Sequence, residues 1–216
     1  MNKSKHWLKH FEPALYFTLI LWVIKSAEEL FSLDFHLLTI QPRETLGLLG
    51  IIFAPLLHGS WDHLMANSLP MLLLGGLLSY GYPASKWKTL LVVWLISGIG
   101  VWLFARPSYH LGASGLTTGF FYFLFIASII RRDKVSIALM FIAVFMYGGI
   151  LLGILPWDPK ISFEAHFFGA IGGALSAIIF RDQDPKPERK VYEWEGVEDS
   201  DEDEEYWKAD YLEKEP

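Results

Sequence analysis

The sequence contains no cysteine, and this absence excludes several kinds of function. A chain without cysteine has no disulfide framework, no thiol nucleophile and no thiolate metal ligands. The H-E-x-x-H pattern, with which helices bind zinc, is also missing. Residues 1–185 hold 13 basic and 11 acidic residues, so no basic surface for nucleic acid is expected. Thiol chemistry, disulfide scaffolding and nucleic-acid binding are therefore not predicted.

Polar residues are scarce in most of the chain. Of its 216 residues, 52% are hydrophobic and 16% aromatic, with nine tryptophans and a mean hydropathy of +0.31. This is too apolar for an ordinary soluble domain. About 20 apolar residues in a helix cross the roughly 30 Å hydrocarbon core of a bilayer. We predict an all-α membrane protein, a bundle of six transmembrane helices near residues 13–31, 62–80, 87–104, 114–130, 134–154 and 164–180.

The basic residues between these spans predict their orientation. One set of loops carries Lys3, Lys5, Lys9, Lys86, Lys88, Arg131, Arg132, Lys134 and Arg181. The alternate loops carry only Arg43, Arg106 and Lys160. Because basic loops stay in the cytoplasm, both termini are predicted to be cytoplasmic in a multi-pass protein of the cell membrane, such as a bacterial inner membrane. The N-terminus lacks a signal-peptide cleavage pattern and is interpreted as a basic lead-in to the first span.

Two segments lie outside the spans. The apolar run at 46–57, within the long first outer loop, is too short to cross a membrane and predicts an interfacial or buried short helix. Residues 186–216 hold 13 acidic and 5 basic residues. We therefore predict a membrane domain at 1–181 and a disordered, acidic cytoplasmic tail at 182–216. The tail is interpreted as a solvated segment or as a regulatory, partner-binding one.

Several polar residues enter the apolar spans at one predicted depth. His63 and Asn67 stand one helical turn apart at the start of the second span, and His166 stands near the start of the sixth. Ser114 opens the fourth span. Ionisable and polar groups in a membrane are costly and usually mark function. A serine at a helix N-terminus lies beside unpaired N–H groups that suit an oxyanion, and a nearby histidine can take its proton.

Small residues bear on whether the serine and the sixth-span histidine can meet. Glycines recur along the fourth span and the sixth, at Gly112, Gly115, Gly119, Gly169 and Gly173. Glycines at this spacing let two helix backbones approach closely. If the two strips face each other, Ser114 and His166 come within hydrogen-bonding range.

Three motifs carry a resemblance to a known family. "HGSWDHLMAN", "GASG" and "HFFGAIGG" occur in this order, each entering a predicted span from the outer side. Over residues 12–180 the chain resembles the rhomboid intramembrane serine proteases. The resemblance implies a six-helix bundle that cleaves single-pass transmembrane substrates near the outer membrane face, without a cofactor or metal.

The resemblance also implies roles for individual residues. Ser114 matches the nucleophile and His166 the general base of a Ser–His dyad. His63 and Asn67 match the pair that forms the oxyanion hole with the Ser114 N–H. The supporting residues are His58, assigned to water retention or local hydrogen bonding, together with Gly112 and Gly115.

The sequence departs from the family pattern at two places near the site. The Trp-Arg pair of the first outer loop is replaced by "LLGII", nine residues before His58, so the conformation of that loop is open. The aromatic residue four positions after the serine, which stacks on the base, is replaced by Thr118. Another group is therefore expected to orient His166.

Two alternatives remain open from the sequence. A metal-dependent membrane protein would use His58, Asp62, His63 and His166, although His58 and His63 are five residues apart and do not share a helical face. A relative that only binds transmembrane helices would be expected to lose Ser114 or His166, and both are present.

Overall fold

The structure, a computed structural model, describes residues 7–158 and 161–185. Within these ranges the regular structure is helical, apart from one isolated β-bridge between Ile40 and His110. The α-helices are α1 (Glu12–Leu30), α2 (Gly47–Phe53), α3 (Trp61–Gly81), α4 (Lys86–Phe104), α5 (Ser114–Arg131), α6 (Lys134–Tyr147) and α7 (Phe163–Ile179). The predicted all-α class is confirmed, and α2 is the short helix predicted for the apolar run at 46–57.

Among the described residues, four helices are long and apolar enough to cross a membrane. They are α3, α4, α5 and α6 together with the 3-10 turn that follows it. Helix α7 has 17 residues, and α1 carries charged residues in its second half. Helices thus occur at all six positions expected from the sequence, while six membrane crossings stay a prediction.

The charges of α1 are paired within the helix. Lys25 is only 3% exposed, and its Nζ lies 3.1 Å from a Glu28 carboxylate oxygen and 2.8 Å from a Glu29 one. A buried ammonium group is tolerated when carboxylates satisfy it. These contacts explain how a helix of mixed polarity packs in an apolar bundle.

Side-chain caps fix where three helices begin. Ser60 Oγ accepts the His63 N–H at 3.1 Å, Asp133 accepts the Ser136 N–H at 2.9 Å, and Ser162 Oγ accepts the Ala165 N–H at 3.3 Å. Each cap satisfies an N–H that has no partner inside the helix. The Ser60 and Ser162 caps set the starts of α3 and α7, the helices that carry the candidate histidines.

Helix α5 forms the centre of the bundle. It packs against α3, α4, α6 and α7, and its Phe121 and Leu124 side chains are fully buried. Its approach to α7 is closest along two glycine strips. A Cβ added to Gly169 would collide with the carbonyl oxygen of Gly115, and one added to Gly173 would collide with that of Gly119. The helix that begins with Ser114 is therefore in backbone contact with the helix that carries His166.

Contacts with α4 hold the loop between α1 and α3 in place. The Trp102 indole N–H donates to the Glu44 carbonyl at 2.9 Å. In return, Arg43 Nη1 donates to the carbonyls of Leu103 at 3.3 Å and Ala105 at 3.0 Å. The two Arg43 bonds satisfy carbonyls at the C-terminal end of α4, where the helix has no partners for them. The loop thus has a defined conformation without the Trp-Arg pair.

The chain continues to pack after α7. The Asp184 carboxylate is buried and accepts hydrogen bonds from the Ala84 N–H at 2.7 Å and from the Ser85 hydroxyl. Lys88 Nζ donates to Gln183 Oε1 at 2.7 Å. Residues 182–185 therefore contact the start of α4. The acidic part of the predicted tail, 186–216, lies outside the described residues, and its disorder stays a prediction.

Candidate active site

One cavity brings the predicted catalytic and oxyanion residues together. Its volume is about 610 Å³, and its wall includes Ser114, His166, His63 and Asn67. The four side chains come from the starts of α3, α5 and α7. A pocket in which a nucleophile, a base and polar donors converge is the arrangement expected of an active site.

Ser114 is the first residue of α5. Its backbone N–H therefore has no carbonyl partner within the helix, and the positive end of the helix dipole lies beside it. The side chain is only partly buried and lines the cavity. The position suits a nucleophile whose attack creates a negative charge next to the helix N-terminus.

Gly112 shapes the turn before the serine. Its φ of +109° lies in the left-handed region that favours glycine. A Cβ at this position would lie 2.6 Å from His63 Cε1 and 2.7 Å from His63 Nε2. The backbone N–H of Gly112 also donates to the Ala54 carbonyl at 2.9 Å. This glycine therefore lets the turn that leads to Ser114 lie directly against the His63 imidazole.

The ring of His166 is oriented by a backbone carbonyl. Nδ1 lies 2.9 Å from the Gly153 carbonyl oxygen, which can only accept, so the proton is assigned to Nδ1. The Nε2 atom then carries the lone pair. It is buried and has no hydrogen-bond partner among the described residues. His166 is thus held as the tautomer that can accept a proton at Nε2, and the Gly153 carbonyl takes the place expected for an aromatic partner.

The segment that carries Gly153 is itself tied to α5. The Tyr122 hydroxyl donates to the Leu151 carbonyl at 3.2 Å, and the Gly153 N–H donates to the Gly149 carbonyl at 3.2 Å. Tyr122 lies two turns after the serine on the same helix. Helix α5, which begins with Ser114, therefore also positions the carbonyl that orients the His166 ring.

His63 and Asn67 lie one turn apart on α3, and both line the cavity. Asn67 is 5% exposed, and its Nδ2 donates to the His63 carbonyl at 3.2 Å. That bond uses one of the two amide hydrogens and leaves the other for a ligand. Since Asn67 lines the same cavity as Ser114, the free hydrogen is available to an oxyanion formed there.

His58 lies behind this pair. It is 2% exposed, and its ring centroid is 5.0 Å from that of His63. Neither ring nitrogen has a hydrogen-bond partner among the described residues. Burial lowers the pKa of His58 to about 3, with further lowering by His63 and Lys25, so its ring is neutral at physiological pH. Its visible role is packing against the His63 ring.

His110 was not among the residues predicted for the site. This residue is 4% exposed, lines the cavity and engages both ring nitrogens, one with the Ser162 hydroxyl and one with the Arg106 carbonyl. Its position four residues before Ser114, in a segment that turns between two spans, was a signal in the sequence.

Ligands for a metal do not cluster in the part of the chain that the structure describes. No three side chains of the types His, Cys, Asp and Glu come together there as a potential metal site.

Comparison with known proteins places the chain in a family. Residues 46–183 match the Rhomboid domain. An uncharacterized protein of Mycobacterium tuberculosis is 35% identical over 200 residues, which cover 88% of this chain and 81% of that protein. An uncharacterized protein of Mycobacterium leprae is 34% identical over 203 residues, covering 88% of this chain and 77% of its own length. The chain belongs to the rhomboid family, whose fold is a helical membrane bundle and whose members are generally intramembrane serine proteases.

Proposed function

We propose that this protein is an intramembrane serine endopeptidase that cleaves single-pass transmembrane substrates near the outer membrane face. The observation that carries the proposal is the geometry of His166. Its Nδ1 is bonded to the Gly153 carbonyl, and its buried, unpartnered Nε2 belongs to a ring on the wall of the cavity that also holds Ser114.

In the proposed reaction Ser114 Oγ attacks the carbonyl carbon of a substrate peptide bond. His166 Nε2 takes the hydroxyl proton, and the Gly153 carbonyl stabilises the imidazolium through Nδ1–H. The Ser114 N–H, Asn67 and His63 donate to the oxyanion of the tetrahedral intermediate. His166 then protonates the leaving amine, which breaks the peptide bond and leaves an acyl group on Ser114. Water, deprotonated by His166, hydrolyses this ester and regenerates the serine.

The placement of the cavity supports an outer-face cleavage site. It is built from the N-terminal ends of α3, α5 and α7, which lie at one end of the bundle. The basic residues of the predicted cytoplasmic loops, such as Lys86 and Arg132, lie at the opposite ends of the same helices or on the helices that follow. By the positive-inside rule the cavity then opens to the outside, where water is available for hydrolysis.

A serine-reactive fluorophosphonate probe tests the proposal. We expect covalent labelling of the purified protein in detergent, lost in Ser114→Ala and strongly reduced in His166→Ala. Ser128→Ala is the matched control, because Ser128 lies on the same helix, donates to the Phe125 carbonyl and does not line the cavity. It should label like the wild type.

Probe labelling, together with assays of helix binding and of chelator sensitivity, separates the alternatives. Absence of labelling in a folded protein that still binds transmembrane helices would favour the non-proteolytic relative. Activity that a chelator abolishes would favour the metal-dependent protein. Labelling that persists in Ser114→Ala would assign the nucleophile to another residue.

A further inference from the structure

His110 is a buried histidine whose two ring nitrogens are both engaged. Its Nε2 lies 3.0 Å from the Arg106 carbonyl oxygen, and its Nδ1 lies 2.7 Å from Ser162 Oγ. A carbonyl only accepts, so the proton is assigned to Nε2, and Nδ1 accepts from the Ser162 hydroxyl. The Ser162 oxygen in turn accepts the Ala165 N–H at 3.3 Å. In this series of hydrogen bonds every donor faces an acceptor: the Ala165 N–H donates to Ser162, the Ser162 hydroxyl to His110, and the His110 Nε2–H to the Arg106 carbonyl.

These hydrogen bonds join the two segments that carry the proposed dyad. His110 stands four residues before Ser114, and Ser162 stands four residues before His166. Ser162 caps α7, and its carbonyl accepts the His166 N–H at 3.4 Å. The backbone of His110 is held as well, because its N–H and carbonyl pair with Ile40 at 3.0 Å and 2.9 Å. The imidazole thus connects a fixed loop to the first turn of the helix that bears the base.

A second connection runs beside it. Arg106 Nε lies 3.5 Å from Glu164 Oε1, and Arg106 Nη2 donates to the Ile161 carbonyl. Because this connection remains when the imidazole is lost, removing His110 should loosen the start of α7 without detaching it. Catalysis is sensitive to such loosening, since a misplacement of about 1 Å in an active site can lower the rate about 100-fold.

We propose that His110 is a positioning residue: through Ser162 it fixes the segment that leads to Ser114 relative to the start of α7, which carries His166. This inference rests on the proposed function, because it concerns the geometry of the Ser114–His166 dyad. His110 needs no contact with substrate for this role. Its effect is exerted through the hydroxyl of the α7 cap.

Two amide substitutions at His110 test the role. His110→Asn places an amide oxygen near the position of Nδ1 and keeps an acceptor for Ser162, while His110→Gln places its amide near Nε2 and keeps only the contact with Arg106. We expect His110→Gln to lower kcat by about 10–100-fold with KM nearly unchanged. His110→Asn should retain clearly more of the turnover, which is a rescue that loss of packing alone does not explain.

Thr39→Val is the matched control. Thr39 is buried in the outer loop beside Ile40 and donates to the His36 carbonyl at 2.6 Å, but this bond does not connect the two dyad segments. The variant should keep the wild-type kcat. If the His110 variants do not fold, Ser162→Gly replaces them, because glycine costs an N-cap only a few tenths of a kcal/mol relative to serine and has no hydroxyl for His110 Nδ1. Its kcat should fall as in His110→Gln.

Hydrogen–deuterium exchange gives a readout that does not depend on activity. In His110→Gln, the amides of residues 110–114 and 163–166 should exchange faster together, and in Thr39→Val they should not. Unchanged exchange, or a His110→Gln kcat at or above that of His110→Asn, would overturn the inference. A wild-type protein that neither labels nor cleaves would instead refute the proposed function, and the exchange result would still decide whether His110 couples the two segments.

Discussion

His166 Nδ1 lies 2.9 Å from the carbonyl oxygen of Gly153, in the segment between α6 and α7. A Cβ at Gly153 would lie 3.3 Å from Nδ1, so the small residue lets the carbonyl and the ring approach. Thr118 occupies the position where the family resemblance implies an aromatic partner for the base. Here a backbone hydrogen bond fixes both the tautomer and the direction of the His166 ring. The orientation of this proposed base therefore depends on the conformation of residues 148–155.

Tyr122→Phe should therefore reduce activity, although Tyr122 does not line the cavity. The substitution removes the hydroxyl that donates to the Leu151 carbonyl, two residues before Gly153. Loss of one such hydrogen bond typically costs about 0.5–1.5 kcal/mol, so we expect a several-fold fall in kcat and a small fall in melting temperature. Tyr147→Phe is the control, because the buried Tyr147 hydroxyl has no hydrogen-bond partner among the described residues. Equal kcat values for the two variants would mean that the Tyr122 hydroxyl does not help to orient His166.

Because α5 and α7 are in backbone contact, side chains larger than glycine in the contact should lower the stability of the protein. Gly169→Ala and Gly173→Ala should destabilise the protein by about 1–3 kcal/mol, because each Cβ would collide with a backbone carbonyl of α5. Valine at either position should be worse, and Gly169→Val should also lower probe labelling of Ser114. Gly149→Ala is the matched control, since a Cβ there has no neighbour within 4 Å. Thermal unfolding in detergent measures the difference, and wild-type stability of Gly169→Ala would mean that the helices separate at no cost.

The stability of the folded protein is expected to depend on pH through the carboxyl group of Asp133. It caps α6 and lies 2.8 Å from Arg131 Nε. Burial opposes ionisation, but the Ser136 N–H and the Arg131 guanidinium outweigh it and hold the pKa of Asp133 below its usual value. A carboxyl with a lowered folded-state pKa contributes stability that is fully present above its unfolded pKa and is lost as the pH falls through its folded pKa.

The measurement is the thermal unfolding of wild type and Asp133→Asn in detergent over a range of pH. Asparagine keeps the cap but not the charge, so the variant should be less stable by about 1 kcal/mol or less at pH 7. The difference should shrink as the pH falls below about 4. Asp182→Asn, which removes an exposed ion pair with Arg181, should match the wild type throughout. A constant difference between Asp133→Asn and wild type at all pH values would contradict the assignment.

The sequence predicted the helices better than it predicted their connections. Hydropathy and turn residues placed five of the six predicted helices within one residue of their observed bounds, because each helix is apolar over most of its length. The prediction for α6 was too long: it ran to residue 154, whereas the helix ends at Tyr147 and a 3-10 turn follows over Gly148–Leu151. Spacing placed His63 and Asn67 on one face of α3, since residues four apart share a helical face. The cavity that unites them with Ser114 and His166 depends on tertiary packing, which a single sequence does not encode in a local pattern.

The contacts made by loops were not predictable in this way. Three of these contacts are hydrogen bonds between residues in different segments. They join His166 to Gly153, His110 to Ser162, and Arg43 to the Ala105 carbonyl at the end of α4. Most of these partners are backbone carbonyls or small residues, which carry no distinctive signal in a sequence. The departures at Thr118 and at the Trp-Arg position indicated only that substitutes were needed.

The basic loops predict the topology. A reporter fused after Pro216 should be active only if it is a cytoplasmic reporter, because the positive-inside rule places both termini on that side. A reporter inserted after Tyr109, in the exposed loop before α5, should instead be active only as an outer-side reporter. A C-terminal reporter found outside the cell would contradict the six-span arrangement.

In the proposed mechanism Ser114 and His166 act as one catalytic unit while Asn67 stabilises the oxyanion. Turnover of a transmembrane reporter substrate in proteoliposomes, measured for wild type, Ser114→Ala, His166→Ala, Asn67→Ala and the Ser114→Ala/His166→Ala double variant, tests it most directly. Ser114→Ala should abolish cleavage, His166→Ala should reduce it nearly as far, and the double variant should lose no more than Ser114→Ala alone. Asn67→Ala should keep measurable activity, lowered by about 10²–10³, because two oxyanion donors remain. If His166→Ala kept most of the activity while Asn67→Ala lost all of it, the dyad would be wrong and His63 would become the candidate base.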